Sequence, residues 1–66
     1  MYTREQLHTI LVANPSPIIS DVESVKIIKS YLYLRRGVVL DIVTEFSEHD
    51  RALINIALRA IVRWVQ

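Results

Sequence analysis

The sequence predicts an all-α fold. Its parts are a short N-terminal helix, a Pro-containing connector and an antiparallel helical hairpin, assembling as a homo-oligomeric bundle. Three observations predict this. Capping signatures at Thr3, Ser20 and Ser47 each precede apolar residues at helical spacing. That spacing persists through most of 21–66. The last twenty residues, SEHDRALINIALRAIVRWVQ, are apolar around roughly 200°, twice the arc of about 100° that one core-facing side requires.

The first helix spans about 4–12. Thr3 caps it with Gln6 at the capping-box position, and Tyr2 and Leu7 are spaced for a hydrophobic staple. Leu7, Ile10 and Leu11 share a face that must dock on the same chain or on a neighbouring copy. The connector, 13–20, contains Asn14-Pro15-Ser16-Pro17, whose prolines exclude helix and stiffen the chain.

Ser20 and Glu23 open the second helix, read as 21–46 with a kink possible at Gly37. Val25, Ile28, Leu32, Val39, Val43 and Phe46 form its core stripe, and Ile27, Tyr31, Leu34, Val38 and Ile42 widen it. Arg35 falls inside that stripe, and Gly37 costs about 1 kcal/mol in a helix interior. Two other versions compete. One makes Arg35-Arg36-Gly37 the turn of a β-hairpin, giving an α+β fold. The other keeps helix on both sides, with Gly37 as the residue that ends the first.

The third helix spans about 47–66. Ser47 and Asp50 form an acidic capping box, and Glu48 and Asp50 suit the helix dipole. Arg51, Asn55, Arg59 and Arg63 make a narrow polar stripe, and nearly everything else is apolar. A lone neighbouring helix cannot cover so wide an arc, so a second copy of the chain is expected to cover part of it. The junction Thr44-Glu45-Phe46-Ser47 is short, which requires the two long helices to be antiparallel.

Size points the same way. The chain has 66 residues, 52% of them hydrophobic, and no cysteine. A single domain of this length buries only about 60% of its unfolded surface and is marginal alone. Without disulfides or Cys-based metal sites it must rely on assembly or close helix packing. No apolar run reaches membrane-spanning length, and MYTREQLHT lacks an apolar signal core, so a cytoplasmic protein is expected.

The net charge is only +1, but it is unevenly spread. Between Ser24 and Leu40 stand Lys26, Lys29, Arg35 and Arg36 with no acid, and Arg51, Arg59 and Arg63 follow in the last helix. Four of the seven acids lie between Asp41 and Asp50. Antiparallel pairing would bring Lys26, Lys29, Tyr33 and Arg36 alongside Arg59 and Arg63. That basic face suits a phosphate backbone or a nucleotide, with Tyr33 placed to stack on a base.

Chemistry is otherwise sparse. Glu45, Glu48, His49 and Asp50 resemble a metal or acid–base cluster, but capping explains Glu48 and Asp50, and one His without a second N or S ligand is a weak transition-metal site. The single glycine rules out a P-loop-type cradle, and no serine lies in a nucleophile-elbow pattern. No enzyme activity, metal or cofactor is expected. Val22-Glu23-Ser24 and the stretch Glu45 to Arg51 loosely resemble segments of the Hha/YmoA family of small helical co-regulators. The stretch RRGVVLDIV departs from that family and the C-terminal region is shorter, so the family is not assigned and no residue role is carried over.

The expected function is that of a small non-enzymatic, homo-oligomeric helical protein, dimer or higher, acting as a regulator or inhibitor by binding a protein partner. Its interface residues would be Leu7, Ile10, Leu11, Leu53, Ala57, Ala60, Ile61 and Trp64. An alternative is a binder of nucleic acid or a nucleotide-like anion through Lys26, Lys29, Tyr33, Arg36, Arg59 and Arg63. A second alternative is a structural assembly subunit.

Overall fold

The computed structural model describes residues 1–13, 19–41 and 47–66. Their regular structure is entirely helical. Helix α1 spans Arg4–His8 and continues as a wider π-helical turn over Thr9–Ala13. Helices α2 and α3 span Asp21–Arg36 and Glu48–Val65. No strand occurs among the described residues, and Tyr31 to Leu34 are helical, so the β-hairpin alternative is overturned. The Asn14–Pro17 connector lies outside the described residues.

The capping residues act as their types dictate. The Thr3 and Ser47 side chains accept from the amides of Gln6 and Asp50, and those two side chains accept in return from the cap amides. Ser20 accepts from the Glu23 amide at 3.2 Å. The Glu23 carboxylate instead accepts from the Tyr2 hydroxyl. The widening at Thr9–Ala13 begins where the Thr9 hydroxyl donates to the Glu5 carbonyl at 3.1 Å, which competes with the α-helical ladder.

Helix α2 stops short of the range 21–46. Gly37 takes the left-handed conformation, φ 64°, and its amide donates to Tyr33 O at 2.9 Å. Val38 donates to Leu32 O at 3.3 Å, turning the chain back over the last helical turn. Val38 to Asp41 are not helical. Helical spacing of apolar residues continues past Gly37 in the sequence, but the cap decides. Ile42, Val43 and Phe46 lie outside the described residues.

The core is small. Leu7, Ile27, Ile61 and Val65 form its centre, one helix each for the first two and α3 for the others. Tyr2, Ile10, Leu11, Ile28, Tyr31, Leu58 and Trp64 pack around it. The buried stripe of α2 keeps Val25 of the expected one but is otherwise rotated. Ile27 is fully buried while Ile28 and Leu32 are only partly so, and Leu34, Val38 and Val39 are exposed. Ser24 and Ser30 are buried as well. Ser30 is fully satisfied. Its hydroxyl donates to Lys26 O at 2.7 Å and accepts from the Tyr2 amide at 2.9 Å.

The two long helices do not pack as an antiparallel hairpin. Asp21 pairs with Arg51 at 3.0 Å, Ile27 shares the core with Ile61, and Tyr31 meets Trp64 with ring centroids 5.2 Å apart. These contacts advance in the same direction along both helices. Ending α2 at Arg36 removes the premise of the antiparallel expectation, because residues 37–47 now separate the helices. Eleven residues can span about 36 Å, against about 24 Å for a helix the length of α2, so no tight reversal is imposed.

Candidate functional site: the outer face of helix α3

Helix α3 carries two apolar seams on different sides. The inner one contains Ile54, Leu58, Ile61 and Val65, all half-buried or buried. The outer one contains Leu53, Ile56 and Ala60, all exposed. Ile56 and Ile61 lie five residues apart, which at about 100° per residue places them about 140° apart around the axis. Leu53 is 54% and Ile56 63% exposed. His49 and Arg63 continue the outer seam at its two ends, giving the alternating four- and three-residue spacing of a helix-pairing stripe. Beside α2, Val38, Val39 and Leu40 are also exposed.

The expected interface residues divide sharply. Leu7 and Ile61 have no exposed surface, so in this fold they serve the chain's own core. Ile10, Leu11, Ala57 and Trp64 are half-buried, the first two and Trp64 against that core. Leu53 and Ala60 stand free. Ile56, absent from the expected set, is the most exposed large apolar residue of the seam, and the spacing 49-53-56-60-63 is the signal that identifies it. Trp64 is held from within. Tyr31 meets it edge to face, with rings at 84°, and the Arg4 guanidinium lies 5.1 Å from its ring centroid.

Two residues of the expected basic face share a groove. Lys26 and Lys29 line a groove of about 400 Å³ with Met1, Tyr2, Gln6 and Ser30, and among the described residues no acid lines it. Tyr33, Arg36, Arg59 and Arg63 are exposed but are not part of that groove. Arg35 is neither buried nor in an apolar stripe. It is exposed at the end of α2, donates to the Tyr31 hydroxyl and lies 5.6 Å from that ring's centroid.

Among the described residues no three His, Asp or Glu side chains converge as a metal site, and Asp50 is engaged with the Ser47 cap. Glu45 lies outside the described residues. No described helix is long and apolar enough to cross a membrane. No family model matches this chain, and neither the curated proteins nor the solved structures yield a match.

Proposed function

We propose that this chain is a non-enzymatic helical protein that self-associates through the outer face of α3 and acts as a regulator or inhibitor by binding a protein partner. The observation that carries the reading is the exposed Leu53-Ile56-Ala60 seam on a helix whose other side already closes the core. Contiguous exposed apolar surface on a small protein marks an interaction site. A second copy is the occupant best supported, because the described core is small and α3, acidic in its first turn and basic in its last, is complementary to a reversed copy of itself.

Native mass spectrometry on the intact chain tests this. The expected result is a multiple of 7.7 kDa for the wild type and a folded monomer for Ile56→Glu. A wild-type monomer would overturn self-association.

The anion-binding reading has one supporting observation, the pair Lys26 and Lys29 in a groove that no described acid lines. It predicts that a short single-stranded oligonucleotide binds at low salt and that Lys26→Glu with Lys29→Glu abolishes binding. Absence of binding by the wild type would remove it.

A further inference from the structure

The charge along α3 gives the self-association a direction. We infer that two copies pair α3 against α3 in antiparallel fashion, about a two-fold axis near Ile56. This rests on the self-association proposed above and adds orientation and register to it.

Helix α3 is electrically divided along its length. Glu48 and Asp50 stand in its first turn, Arg59 and Arg63 near its end, and all four are exposed. Arg51 is already paired with Asp21, whereas among the described residues Arg59 and Arg63 form no ion pair. Parallel pairing would set each acidic end beside another and each basic end beside another. Antiparallel pairing sets opposite charges together at both ends, and opposes the two helix dipoles.

The charged ends of the helix set the register. His49 and Arg63 each lie seven residues from Ile56, whereas Leu53 and Ala60 lie three and four residues from it. With Ile56 opposite Ile56 of the second copy, Arg63 comes level with His49 of that copy, between its Glu48 and Asp50. Ala52 comes level with Ala60 of the second copy, and both are small enough for close helix approach. The same contacts recur at the other end, as a two-fold axis requires.

The chain has no cysteine, so introduced thiols report position without background. The test mixes Ala52→Cys with Ala60→Cys, oxidises the intact proteins, and maps the cross-linked peptides after tryptic cleavage. Cleavage at Arg51, Arg59 and Arg63 separates the two positions. The expected product links position 52 of one chain to position 60 of the other. In a parallel pair the links would be 52 to 52 and 60 to 60, which overturns the orientation while leaving self-association intact. Absence of cross-links above an exposed Val22→Cys control overturns the use of this face. Native mass spectrometry of the same samples then shows whether self-association survives through another surface or fails as well.

Discussion

Arg4 binds Trp64 twice. Its guanidinium stacks 5.1 Å from the indole centroid, and its Nη2 donates to the Trp64 carbonyl at 2.8 Å. The first turn of α1 is thereby fastened to the last turn of α3, with Leu7 seated beneath against Ile61 and Val65. Stacking of this kind contributes about 0.5–1 kcal/mol at an exposed site, and a hydrogen bond from a charged donor about 1.5–3 kcal/mol. Since Arg4 is exposed, the lower end applies. Arg4→Ala is expected to destabilise the fold by about 1–2 kcal/mol in urea unfolding at fixed protein concentration.

Ser30→Ala removes the acceptor for the Tyr2 amide while leaving the helix intact. A part-buried N–H left without a partner costs about 1–3 kcal/mol. Thermal unfolding should shift down by about 4–8 °C per kcal/mol for a domain of this size. Unchanged unfolding would show that the Tyr2–Ser30 link does not hold the N-terminal segment.

Gly37→Ala separates conformational cost from packing. A methyl group there meets nothing within 4 Å, yet φ is 64°. The expected loss is about 1–2 kcal/mol, the strain of a left-handed non-glycine residue. No loss, or a gain in helical circular dichroism, would indicate that α2 runs on past Arg36.

Two isoleucines on α3 should behave oppositely. Ile61 is fully buried and Ile56 is 63% exposed. Ile61→Asp places a carboxylate in the core and is expected to unfold the chain, as burial of an unpaired charge is strongly unfavourable. Ile56→Glu should keep the helical circular dichroism spectrum and change only the mass in solution. If both variants stay folded and associated, the division of α3 into inner and outer seams is wrong.

The sequence revealed those features that depend on neighbours within a few residues. Thr3, Ser20 and Ser47 cap as their types and spacings predict, because a cap is satisfied by amides two or three positions away. The helical class followed from the same local signals. The end of α2 was ambiguous, since Gly37 could kink a helix, turn a hairpin or cap, and apolar spacing beyond it favoured continuation. That one choice propagated. A helix reaching Phe46 implies a short junction and antiparallel packing, whereas an end at Arg36 frees the chain to bring Asp21 to Arg51 and Tyr31 to Trp64. The basic face was argued from the antiparallel register, and Lys26 and Lys29 line one groove. Ser24 and Ser30 were illegible as core residues, because their burial is set by what packs on α2 rather than by their own polarity. The width of the α3 arc was legible, but the sequence could not say which half the chain would cover itself.

Native mass spectrometry of the wild-type chain beside Ile56→Glu tests the two-sided use of α3 most directly. A wild type at a multiple of 7.7 kDa and a folded single-chain variant are the expected results. A wild type that remains a single chain at tens of micromolar, with the same helical content as the variant, would contradict self-association through this face.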